Sequence, residues 1–182
     1  LTEQSHANIR ERVHAIASRG IVPVILGGDH SITWPAATAV ADVHGYGNVG
    51  IVHFDAHADT ADIIEGNLAS HGTPMRRLIE SGAVPGTHFV QVGLRGYWPP
   101  QDTFEWMQQQ GMTWHTMQQI WDIGFKEVMR RAVGEALAKA EKLYVSVDID
   151  VLDPAHAPGT GTPEPGGITS ADLLRMVRQL CH

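Results

Sequence analysis

Val49-Gly-Ile-Val-His-Phe54, followed at once by Asp55-Ala-His57-Ala-Asp59, is the stretch on which the fold turns. Residues 49–54 form a near-continuous apolar run, the pattern of a strand buried on both faces. Such strands belong to parallel sheets covered by helices, and these sheets bind their ligands beyond the carboxyl ends of the strands. Asp55, His57 and Asp59 stand at that position. Their i, i+2, i+4 spacing, on extended backbone, turns all three side chains to one side.

Two other apolar runs end in the same way. Residues 21–26 lead into Gly27-Gly-Asp29-His30-Ser31, and residues 143–147 into Ser146-Val-Asp148-Ile-Asp150. Outward from these runs, periodicity predicts a helix over residues 2–19, with Ile9, Val13, Ile16 and Ala17 on one face and Gly20 ending it. Further helices are predicted over 31–43, behind Ser31 as N-cap, and over 74–81, 101–110, 125–139 and 170–182. Strands are predicted at 21–26, 49–54, 88–93, 112–115 and 143–149. This alternation predicts a single three-layer α/β/α domain over residues 1–182 with a mostly parallel sheet. The loops 60–70 and 153–167 follow strands and read as functional loops.

The candidate metal ligands are His30, Asp55, His57, Asp59, Asp148 and Asp150. Four carboxylates packed together repel one another, and divalent cations cancel that charge. Two His and four Asp make an oxygen-rich donor set that favours Mn²⁺ over Zn²⁺, although imidazole also suits Ni²⁺, Co²⁺ and Zn²⁺. Two such ions can share and activate a water. His30, near a helix start, is expected to be neutral, the form that ligates metal. A net charge of −7 argues against a nucleic-acid partner. No segment reads as a membrane span, and a single cysteine, Cys181, fits a reducing cytoplasm.

At these residues the chain resembles the ureohydrolases, the arginase–agmatinase family. Gly-Gly-Asp-His-Ser, Asp-Ala-His-Ala-Asp and Ser-Val-Asp-Ile-Asp-Val-Leu-Asp-Pro are similar to its three signatures. The loop Ala157-Pro-Gly-Thr-Gly-Thr-Pro-Glu-Pro-Gly-Gly167 and Val92-Gly-Leu-Arg-Gly96 look like the agmatinase branch. The resemblance implies that Asp55 and Asp148 bridge two metals, that His30 and Asp59 complete one site, and that His57 and Asp150 complete the other. It implies hydrolysis of a guanidinium group to urea and an amine, with Asp150 holding the attacking hydroxide and His71 shuttling protons. It also implies a homo-oligomer, a trimer or hexamer. The loop after the second signature contacts the substrate tail in this family, which points here to Asp62, Glu65 and Asn67. Acidic residues there suit the ammonium of agmatine better than the carboxylate of 4-guanidinobutyrate.

The family's guanidinium-binding glutamate lies on a strand beyond the last predicted helix, and nothing here aligns with it. The first residue is Leu, and the last helix has no element behind it, so the chain is expected to be a fragment. Glu164 belongs to the Pro/Gly loop and does not replace that glutamate. A two-metal phosphoesterase would need Arg, Lys or backbone donors converging on phosphate, and the three motifs bring none. A non-enzyme reading, an inactive fragment or a metal-binding partner subunit, rests on the missing strand. Among the rest, Asp29 is expected to bond its own helix start, Asp153 to form a turn, Arg95 to anchor a loop and His53 to be packed inside its strand. Trp98, Trp106, Trp114 and Trp121 fit packing of residues 97–121.

Overall fold

The structure is a computed structural model and describes residues 2–97 and 99–180; Trp98 and Cys181 lie outside the described residues. Four parallel strands, β1 (Val49–Phe54), β2 (Phe89–Leu94), β3 (Thr113–Thr116) and β4 (Lys142–Val147), form one sheet in the order β3-β2-β1-β4. Alternate residues of each central strand face opposite layers. Ile51 and Phe89 pack with Met75, Leu78 and Met107 on one side. Val52, Phe54, Val90 and Val92 pack with Val128, Met129 and Ala132 on the other.

The first layer holds α1 (Thr2–Ala17), α2 (Thr33–His44), α3 (Pro74–Glu80) and α4 (Gln101–Gln109). Helix α2 is buried nearly all round. Ala37 and Ala41 meet the sheet, while Ala36 and Ala39 meet Val13 and Ile9 of α1, as small side chains on both faces require. The second layer holds α5 (Met117–Ile123), α6 (Phe125–Leu137) and α7 (Ser170–Leu180).

The three-layer parallel α/β prediction therefore holds, with two corrections. Residues 21–26 form no strand; Val22, Val24 and Leu26 are 82–94% exposed. An apolar run becomes a strand only where a neighbour completes its ladder, and this segment pairs with neither sheet edge, while Pro23 removes one donor. The second correction is at Ser31. Asp29, not Ser31, caps the turn ahead of α2, its carboxylate accepting from the Ser31 N–H at 2.9 Å. Helix α5 was not predicted.

Register brings the motifs together. Phe54 pairs with Val147, so β1 and β4 end flush and Asp55 and Asp148 follow on adjacent rungs. The Asp148 N–H donates to the Phe54 carbonyl at 2.8 Å, and the Asp55 N–H to Val92 at 3.1 Å.

Candidate metal centre

All three motifs turn by one device. In each, an Asp carboxylate accepts the backbone N–H two residues on: Asp29 from Ser31 at 2.9 Å, Asp55 from His57 at 2.6 Å, and Asp148 from Asp150 at 3.0 Å. The chain therefore leaves each strand or extended segment in a tight turn rather than running on extended. Asp59 sits at φ +51°, a left-handed conformation that Asp tolerates better than most residues. Asp55, His57 and Asp59 do converge, but through these turns and not through the strand spacing expected from sequence.

The turns assemble two groups of side chains able to hold a metal ion, and Asp55 belongs to both. His30, His53, Asp55 and Asp59 form one group; Asp55, His57 and Asp150 form the other. His30 Nδ1 lies 3.1 Å from Asp55 Oδ2, 2.9 Å from Asp59 Oδ2 and 3.1 Å from Asp148 Oδ2. His57 Nδ1 lies 3.1 Å from Asp150 Oδ2 and 3.3 Å from Asp55 Oδ1. Asp148 thus meets the first group through His30, while its other oxygen holds the Asp150 N–H.

The electrostatics fit a cation. Burial disfavours charge on His30, yet the carboxylates of Asp148, Asp55 and Asp59 raise its pKa well above the usual imidazole range. Burial also opposes charge on His57, but Asp150 and Asp55 push its pKa to about 10. Asp59 is pushed up to about 6 by burial and by Asp55, and burial raises Asp150 as well. Buried His30 Nδ1 faces three carboxylate oxygens, none aligned for a hydrogen bond. A proton there can serve one oxygen at a time, whereas a divalent ion among them serves all four atoms.

Supporting contacts hold the candidate ligands. His30 Nε2 and Thr33 Oγ1 both meet Ser146 Oγ, at 2.9 and 3.2 Å. Asp150 accepts from the Ala56 N–H and from Thr162 Oγ1, each at 3.1 Å. Sequence reading missed His53 here. It is fully buried, and its Nε2 meets Asp55 Oδ2 at 2.9 Å. Gln91 fixes the tautomer. Its amide nitrogen faces both His53 Nδ1 and the Ala58 carbonyl, so Nδ1 accepts and Nε2–H donates to Asp55. The missed signal was position, since His53 stands two residues before Asp55 and so on the same strand face.

The remaining predicted residues lie outside both groups. His71 is exposed, with Nδ1 3.3 Å from Ser70 Oγ. Asp62, Glu65 and Asn67 are exposed on the loop, with Glu65 at φ +49°. Asp62 accepts from Arg77 Nη2 at 2.8 Å and lies 3.6 Å from Arg76. Asp153 forms its expected turn, accepting from Ala155, and its second oxygen takes the N–H groups of Gly166 and Gly167. Arg95 anchors that loop as expected, donating to the carbonyls of Asp150, Leu152 and Glu164.

The arginase family matches residues 1–182. The chain belongs to the arginase family. It is 41% identical over 173 residues to a mitochondrial agmatinase of Gallus gallus, covering 93% of this chain and 49% of that protein. It is 39% identical to a guanidinobutyrase of Pseudomonas aeruginosa, covering 93% and 52% respectively. The crystal structure of a formimidoylglutamase from Bacillus subtilis superposes with a TM-score of 0.91 at 33% identity, over 97% of this chain and 55% of that one. The chain thus spans about half the length of the curated relatives it matches. No helix among the described residues is long and apolar enough to cross a membrane.

Proposed function

We propose that residues 1–182 are part of the catalytic domain of a cytoplasmic, metal-dependent amidinohydrolase that releases urea from a guanidino compound, agmatine first. The observation that carries this reading is Asp55, a buried carboxylate shared by two His/Asp groups at the flush ends of β1 and β4. His30, Asp55, Asp59 and Asp148 would hold one ion, and His57, Asp150, Asp55 and Asp148 the other, with Mn²⁺ the best match to the donors. The ions would supply a water of lowered pKa. Asp150, fixed by Ala56 and Thr162, would hold that water beside the guanidinium carbon. His71, on the exposed loop, carries a proton to the departing amine. The whole protein would act as a homo-oligomer, a trimer or hexamer.

Mn²⁺ should raise the melting temperature of the whole protein, saturating at two ions per chain, and a chelator should reverse the shift. An ion at a hundred times its Kd adds about 2.7 kcal/mol. Absence of any shift with Mn²⁺, Zn²⁺, Ni²⁺ and Co²⁺ would refute the metal assignment. His71→Ala should keep the full metal content and lower kcat by roughly 10²-fold or more, as expected for a lost proton carrier; loss of metal in that variant contradicts the role.

The amine tail is read from loop 60–70. Its acidic residues Asp62 and Glu65 support a cationic tail, and an agmatinase stands among the relatives. A second reading, a guanidino-acid hydrolase acting on 4-guanidinobutyrate, is favoured by the ion pair that commits Asp62 to Arg77 and leaves Glu65 as the loop's uncommitted acid. Urea release measured across agmatine, 4-guanidinobutyrate and arginine separates the two.

A further inference from the structure

We propose that Glu164 is a positioning residue for His57, holding the outer ring nitrogen so that Nδ1 presents a lone pair to metal. The proposal rests on the reading of His57 as a ligand. The His57 ring stands between two sets of carboxylates. Nδ1 faces Asp150 and Asp55 at 3.1 and 3.3 Å, and Nε2 faces Glu164 Oε1 at 3.9 Å. An imidazole that ligates through Nδ1 carries its proton on Nε2, and a carboxylate at Nε2 fixes that tautomer and strengthens the donor.

Four features hold the segment that carries this carboxylate. Pro163 and Pro165 flank Glu164 and restrict its backbone. Arg95 donates to the Glu164 carbonyl at 2.7 Å and to the Asp150 carbonyl at 2.7 Å, so one guanidinium ties the glutamate to the neighbouring candidate ligand. Gly96 supplies the space: at φ +74°, a Cβ there would fall 2.7–2.9 Å from the Glu164 carboxyl atoms. The Asp153 carboxylate pins Gly166 and Gly167 just beyond. With the backbone held, the remaining freedom is rotation of the side chain, which needs to close by about 1 Å for a hydrogen bond.

The test is metal affinity in the whole protein, measured by Mn²⁺ competition with a chromophoric chelator for the wild type, Glu164→Ala, Glu164→Gln and Gly96→Ala. Glu164→Ala should weaken one of the two ions by about 10–100-fold and leave the other unchanged. Gly96→Ala, which displaces the carboxylate without removing it, should weaken the same ion. Glu164→Gln, which keeps an acceptor oxygen, should recover part of the loss. Unchanged affinity in both Glu164→Ala and Gly96→Ala overturns the proposal, as does equal weakening of both ions, which would mark a structural role. A raised KM with intact affinity overturns it in favour of a substrate contact. Failure of the ligand reading itself looks different, because His57→Ala would then also retain both ions.

Discussion

Asp55→Ala is expected to abolish tight binding of both metal ions and to reduce urea release to background. Among the described residues it is the one side chain common to both clustered groups, and Asp148, the other ligand proposed for both ions, reaches the first group through His30. Its carboxylate meets His30, His53 and His57 and also takes the His57 N–H that closes the turn after β1. It is 1% exposed, so bulk solvent does not screen these contacts. Loss of an outer contact to a metal ligand costs roughly 10–100-fold in affinity; loss of the shared ligand should exceed that at both ions. His53 Nε2–H would also lose its acceptor in a buried position, costing about 1–3 kcal/mol of stability. Asp55→Asn separates these effects. It keeps the volume and an oxygen for the His57 N–H, so it should fold better than the alanine variant while still failing to hold two ions. Two Mn²⁺ bound to Asp55→Asn with wild-type affinity would remove Asp55 from the centre of the site.

The sequence showed that three motifs meet at one edge of the sheet but not how they meet. Apolar runs ending in Asp and His marked the carboxyl edge of the sheet, and β1, β2 and β4 formed close to the predicted places. Residues 21–26 carry the same signal and form no strand, because an apolar pattern reports burial and a strand also needs a partner. The i, i+2, i+4 spacing of Asp55, His57 and Asp59 predicted convergence for the wrong reason; the Asx turn and the left-handed Asp59 produce it. Helix α5 was legible at its boundaries. Thr116 and Gln119 form a capping box and Gly124 ends the helix, but only seven residues lie between cap and glycine, too few for periodicity to stand out. His53 and Glu164 were read by their local setting, one as strand packing and the other as loop. Their contacts with Asp55 and His57 depend on pairing with Gln91 and on the Arg95–Gly96 corner, both distant in sequence.

Residues 1–182, produced by themselves, are expected to associate and to release no urea at a rate near that of the whole protein. Both candidate metal groups lie within the described residues, so the expectation rests on the surfaces beside them. Strand β4 pairs with β1 on one edge and with nothing on the other among the described residues, and Val145 and Val147 remain 36–39% exposed. An open edge of a parallel sheet offers a row of free N–H and C=O groups to any other chain. Beside it, Met129, Val133, Leu137, Leu143 and Leu180 line a cavity of ≈ 840 Å³ between α6, α7 and the start of β4. Val22, Val24 and Leu26 also stand in solvent. These are more exposed apolar groups than isolated surface residues account for. Light scattering and dye binding to exposed apolar surface should therefore be high for residues 1–182, and amide exchange should be faster in β4 than in β1, which is paired on both sides. Mn²⁺ should reduce exchange near Asp55 and Asp148 without closing the β4 edge. A monodisperse, cooperatively melting preparation with turnover close to that of the whole protein would show that the site needs nothing beyond these residues.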